Sequence, residues 1–92
     1  MDEFETIKEF INQDKADEAI SALDRLIASG SLPAADEAYY LRGNAYRKKG
    51  DWKNALDNYL AAIEINPESP ALHAKEMLMD ILNFYNKDMY NQ

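Results

Sequence analysis

The sequence predicts an all-α fold, and three observations carry that expectation. Apolar residues recur at spacings of three and four along five segments, the pattern of amphipathic helices. No stretch alternates apolar and polar residues with period two for long enough to make a strand. The breaks between segments are short and contain Gly, Pro, Asn or Asp, each acting as a helix start or stop signal.

A first helix is expected over residues 2–13, with Phe4, Ile7, Phe10 and Ile11 on one face. Asp2 followed by Glu5 fits a capping box, and acidic side chains suit the positive end of the helix dipole. Asn12, Gln13 and Asp14 break the pattern. A second helix over 15–28 turns Ala16, Ala19, Ile20, Leu23, Leu26 and Ile27 inward, with Asp14 or Asp17 as its candidate cap. Gly30 suits a left-handed C-terminal cap because it has no Cβ. Ser31, Leu32 and Pro33 make the connection. A third helix, 34–49, ends in Arg47, Lys48 and Lys49, which oppose the negative end of its dipole, and Gly50 stops it. Asp51 caps a fourth helix over 52–65, which Asn66-Pro67 ends, since a residue before proline avoids helical geometry. Ser69-Pro70 opens a fifth helix, 70–85, with apolar Leu72, Ala74, Met77, Leu78, Ile81, Leu82 and Tyr85. The tail, 86–92, is polar apart from Met89 and Tyr90 and is expected to fray.

Bulk composition narrows the function classes. A chain of 92 residues is expected to form one small domain, and no linker or low-complexity run divides it. The 47% hydrophobic and 29% charged content is that of an ordered globular chain. A net charge of -7 disfavours nucleic acid and anionic membrane, both of which attract an excess of Lys and Arg. The absence of cysteine excludes disulfides and thiolate metal sites. No apolar run is long enough to cross a membrane. The N-terminal MDEFETIKEF lacks the basic start and apolar stretch of a signal peptide, so the default location is cytoplasmic.

The chain also repeats itself. Ala19-Ile20-x-x-Leu23 returns as Ala55-Leu56-x-x-Tyr59, displaced by 36 residues. The central unit over 36–69 carries Tyr39, Gly43, Tyr46, Ala55, Tyr59, Ala62 and Pro67. In these residues the chain resembles the tetratricopeptide repeat family, whose signature places an aromatic, Leu-Gly, an aromatic, a small residue, an aromatic, a small residue and proline at those spacings. Seven of the eight places agree in type; Arg42 stands where leucine is usual, with Leu41 beside it. Gly43 and Ala55 allow close helix approach, Ala62 leaves room for the next helix, and Pro67 aims the chain into it. In the first unit Phe4, Ile7 and Ile11 fall at the aromatic, leucine and aromatic places and Lys8 at the glycine place, with a turn one residue shorter. The last helix offers Ala74, Met77, Leu78 and Ile81 as a stacking face. The resemblance implies a right-handed helical-repeat solenoid of antiparallel helix pairs, about five helices in all. A degenerate repeat spans 1–33, a complete repeat 36–69 and a terminal helix 70–90.

An enzyme is not expected. The one histidine, His73, opens a helix and has no cysteine to pair with. No Gly-rich phosphate loop occurs, and no cofactor or metal is expected. The carboxylates Asp2, Glu3, Glu5, Glu9, Asp17 and Glu18 lie on polar helix faces as solubilising charge. What remains is surface. The resemblance implies a concave groove, lined by the first helix of each repeat, that binds a peptide or a partner protein. Its residues here would be Glu5, Glu9 and Asn12, then Glu37, Tyr40, Asn44, Arg47 and Lys48, then Lys75, Met79 and Leu82. Each is equally compatible with an ordinary solvated helix face. Asn44, Arg47 and Lys48 resemble part of a carboxylate clamp, against which Glu5 and Glu9 would act by repulsion. The alternative is a self-associating unit that forms a homodimer through an apolar patch of Leu72, Met79, Phe84, Met89 and Tyr90.

Overall fold

The computed structural model describes residues 2–30 and 34–85. Five helices account for most of them: α1 Glu3–Asn12, α2 Ala16–Ala28, α3 Ala35–Lys49, α4 Trp52–Ile65 and α5 Ala71–Tyr85. No strand occurs among the described residues. The expected connection through Ser31, Leu32 and Pro33, and the tail with Met89 and Tyr90, lie outside the described residues.

The helix ends follow their local chemistry. Asp2 caps α1, its Oδ1 accepting the Glu5 N–H at 2.8 Å. Asp51 caps α4 in the same way, accepting from the Asn54 N–H at 3.2 Å and from the Asn54 amide at 2.7 Å. Those two bonds hold the Asp51 carboxyl below its ordinary pKa. Gly50 ends α3 at φ 82°, and the Asp51 N–H then reaches the Tyr46 carbonyl at 2.9 Å. Ser69 is buried and caps the last turn-in, its Oγ accepting the Ala71 N–H at 3.0 Å.

The start of α2 differs from expectation. Lys15 occupies the cap position and no side chain caps the helix. Asp14 is held at φ 61° in the turn, with its carboxylate 3.6 Å from the Lys48 ammonium. Asp17 lies inside the helix and accepts from Lys49 at 2.6 Å, which raises the Lys49 pKa. Neither carboxylate is therefore left to cap.

Two buried clusters share the tyrosines of α3. Ile7, Ile11, Ala19, Ile20 and Leu23 of α1 and α2 pack with Ala38, Leu41 and Ala45 of α3. Ala55, Tyr59 and Ala62 of α4 pack with Ala71, Ala74 and Leu78 of α5. Tyr40 and Tyr46 touch both clusters. Helix α3 is thus covered on two sides, which is why its apolar residues do not form a single stripe.

Between α3 and α4 the fit is close. A Cβ added to Gly43 would lie 2.6 Å from Cε1 of Tyr59 and 3.2 Å from the Ala55 carbonyl oxygen. Tyr59 is fully buried, as is Ala55. Across the same seam Arg42 replaces the expected leucine with a polar link. Its Nε donates to Asn58 Oδ1 at 2.7 Å, its Nη1 to Asp24 Oδ1 at 2.8 Å, and its guanidinium lies 5.2 Å from the Tyr39 ring centroid. Arg42 thereby joins α2, α3 and α4, and it satisfies the otherwise buried Asn58.

The first pair has a different register from the one expected. Lys8 is exposed and pairs with Glu37 of α3 at 3.4 Å, so it is not at the helix-contact place. Ile7 is at that place, 2% exposed, and is displaced from Gly43 by the same 36 residues that separate Ala19 from Ala55. One displacement therefore relates both helices, and the turn is not shortened. Ile7 thus stands where α3 has only hydrogen. A cleft of about 400 Å³ lies along the α1–α2 seam, lined by Ile7, Phe10, Ala22, Leu26 and their neighbours. In α5, Met77 is 46% exposed and does not join the stacking face, which Ala71, Ala74 and Leu78 supply. Met77 lies one helical step from Leu78, on the side turned away from α4 and α3.

Gly43→Ala is expected to destabilise the fold by on the order of 1–3 kcal/mol, because the new methyl meets a ring that has nowhere to move. Denaturant unfolding followed by circular dichroism measures it. The same change at an unconstrained helical position would raise stability through helix propensity.

Candidate functional site

The cleft between α1 and α3 is the feature nearest the expected groove. Its volume is about 260 Å³, and its walls are Lys8, Ile11 and Asn12 from α1 and Tyr40, Leu41 and Asn44 from α3. The spacing of Lys8, Ile11 and Asn12 puts them on one face of α1, and that of Tyr40, Leu41 and Asn44 does the same on α3. Ile11 and Leu41 are buried and form the floor. Tyr40 and Asn44 are partly buried, and Lys8 and Asn12 stand at the rim.

Asn44 is fixed by the buried seam behind it. Its Oδ1 accepts the Tyr59 hydroxyl at 2.5 Å, so its amide Nδ2 remains as the donor. The Tyr40 ring leans on the Tyr59 ring, with centroids 6.2 Å apart and planes at 38°. Burial pushes the Tyr59 phenol up to about 12, Tyr40 adds to the rise, and the nearby Arg47 charge opposes it. The α3 wall of the cleft, Tyr40 and Asn44, is therefore held by the α3–α4 contact.

Of the residues expected in the groove, Asn12, Tyr40 and Asn44 are brought together. Glu37 faces the same side but its carboxylate is engaged with Lys8. Arg47 lies one turn beyond Asn44 and has no ion-pair partner among the described residues. Lys48 is paired with Asp14. Glu5 and Glu9 are exposed and do not line the cleft, and Lys75 and Met79 of α5 stand outside it. Lys8 and Ile11 were not expected there. The 36-residue displacement, extended from α2 back into α1, assigns both to the places of Asn44 and Arg47. Of the residues expected in a self-association patch, Leu72, Met79 and Phe84 are exposed, at 40%, 37% and 73%. Phe84 also borders an apolar cleft with Trp52, Asp80 and Ile81.

The walls of the α1–α3 cleft offer hydrogen-bond donors and an apolar floor, with no nucleophile beside a base. Among the described residues no group of three or more His, Cys, Asp or Glu is placed to hold a metal ion. No helix among them is long and apolar enough to cross a membrane.

Comparison with known proteins agrees with this geometry. A family model described as tetratricopeptide repeat matches residues 4–70. The chain belongs to the tetratricopeptide repeat family. Repeats of this family generally mediate protein–protein interaction and are typically noncatalytic. The match ends where α5 begins. The chain is 32% identical over 79 residues to the peptidyl-prolyl cis-trans isomerase CYP7 of Saccharomyces cerevisiae, covering 84% of this chain but only 20% of that protein. It thus spans about one fifth of the length of that relative. It is also similar to Bacteroides fragilis protein BF1650, solved by solution NMR. That similarity has 61% identity and a TM-score of 0.87, and covers all of this chain and 92% of the other.

The buried phenol gives a pH test. A raised pKa means that the folded state holds the Tyr59 proton more tightly than the unfolded chain, whose tyrosines ionise near 10. The corresponding stability is full below about pH 10 and is lost as pH rises toward about 12. Tyrosinate absorbance in an alkaline titration is expected to show Tyr59 ionising late, together with unfolding. Tyr59→Phe is expected to abolish that late step.

Proposed function

We propose that the chain is a noncatalytic interaction module that holds a peptide or a helix of a partner protein in the α1–α3 cleft. The repeat organisation behind this reading is a degenerate repeat over 1–33, a complete repeat over 36–69 and a terminal helix that begins after Ser69. The observation that carries it is the cleft itself: an apolar floor of Ile11 and Leu41 between rims that present Lys8, Asn12 and Asn44. Binding sites combine apolar area with a few placed polar groups in this manner. Asn44 is already oriented by Tyr59, so part of the ordering cost of binding is met in the free protein. Adaptor work in the cytoplasm fits a cysteine-free chain that requires no oxidising compartment.

A second reading is self-association through α5. Leu72 and Met79, apolar and both more than one-third exposed, favour it.

Peptides selected on the protein from a random-sequence display library test the first reading. Lys8→Ala combined with Asn12→Ala removes two exposed rim residues and leaves the buried clusters intact. The double variant is expected to keep its circular dichroism and melting transition and to bind the selected peptides at least about tenfold more weakly. Unchanged binding would remove the cleft from consideration.

A further inference from the structure

The exposed face of α5 carries an apolar line flanked by opposite charges. Leu72 and Met79 are seven residues apart, about two helical turns, so they lie on one line along the helix. Lys75 and Glu76 sit between them, one on each side of that line. Neither forms an ion pair among the described residues.

We propose that the occupant of this face is a second copy of the chain, its α5 lying parallel to and in register with this one about a two-fold axis. The proposal rests on the self-association reading of α5 and gives it a geometry. Two-fold symmetry requires a patch that complements itself. In a parallel pair, opposite flanks of the two helices face each other. Leu72 then meets the partner's Leu72 and Met79 meets the partner's Met79. Lys75 faces the partner's Glu76, and Glu76 faces the partner's Lys75. An antiparallel pair centred on the same residues brings like flanks together, setting lysine against lysine and glutamate against glutamate, which costs free energy. Charge therefore selects the parallel arrangement. The contact is small compared with the 20–30 residues per side of a standard interface, so the dimer is weak and concentration-dependent.

Sedimentation over a range of concentrations up to about millimolar, a weak affinity by any standard, reads the association. The wild-type chain is expected to dimerise reversibly. Lys75→Glu and Glu76→Lys should each weaken the dimer by on the order of tenfold, because each turns two attractive contacts repulsive. The double exchange Lys75→Glu with Glu76→Lys should restore it. The chain has no cysteine of its own, so Met79→Cys gives a clean orientation readout. Oxidation should link Met79→Cys to itself across the dimer, as the parallel register requires. All three substituted positions are exposed or partly exposed, and circular dichroism checks that the variants fold. A wild-type dimer that ignores the charge reversals, or that fails to link at position 79, overturns the parallel geometry while leaving self-association standing. A strict monomer at the highest concentration overturns both.

Discussion

Where α3 crosses α4, the hydrogen that Gly43 carries in place of a side chain faces the ring of Tyr59, and the remaining space admits nothing larger. The rest of the molecule is arranged around that contact. It seats Tyr59 at full burial, and the buried hydroxyl then needs a partner, which Asn44 provides. It brings Tyr40 against Tyr59 and leaves Tyr40 and Tyr46 where they touch the clusters on either side. The first pair packs on one face of α3 and α5 packs on α4. Polar ties add direction to the first of these joints. Arg42 reaches Asp24, while Lys48 and Lys49 reach Asp14 and Asp17. Exposed pairs of this kind contribute little each, but all of them pull α2 and the turn before it onto α3.

The two helix pairs differ at the crossing position. With glycine at the crossing, α3 and α4 close on each other. With Ile7 at the equivalent place, a cleft of about 400 Å³ lies along the α1–α2 seam. Close packing contributes dispersion energy that a gap forfeits. The first pair therefore depends more on α3 for its stability than the central pair depends on its neighbours. The same α3 carries one wall of the proposed binding cleft, so the rigidity of the central crossing passes directly to Asn44 and Tyr40.

Helix existence, order and most boundaries were legible in the sequence, because caps and glycine or proline stops act locally. Asp2, Asp51, Gly50 and Ser69 each do what their chemistry suggests. The central repeat was legible for the same reason that it folds: Gly43, Ala55, Tyr59 and Ala62 are constrained by contact. The register of α1 was not. Periodicity placed Phe4, Ile7, Phe10 and Ile11 on one broad face, and an aromatic at Phe4 suggested the wrong alignment. Only the common displacement of 36 residues puts Ile7 at the crossing and Lys8 at the cleft. The failure of Asp14 to cap α2 was also hidden, since its conformation and its pairing with Lys48 depend on where α3 ends. Arg42 showed as a departure from the family pattern. Its role became visible only with Asp24 and Asn58 beside it, from two other helices.

The central claim is that the α3–α4 crossing is the most stable part of the molecule and that the first pair is held by it. Native-state hydrogen exchange resolved by residue tests this directly, since it separates local opening from global unfolding. The account predicts that the interior amides of α3 and α4 near Gly43 and Tyr59 exchange only through global unfolding. It predicts that α1 amides exchange sooner, through an opening that leaves the crossing closed. Protection in α1 equal to or greater than that in α4 would contradict it.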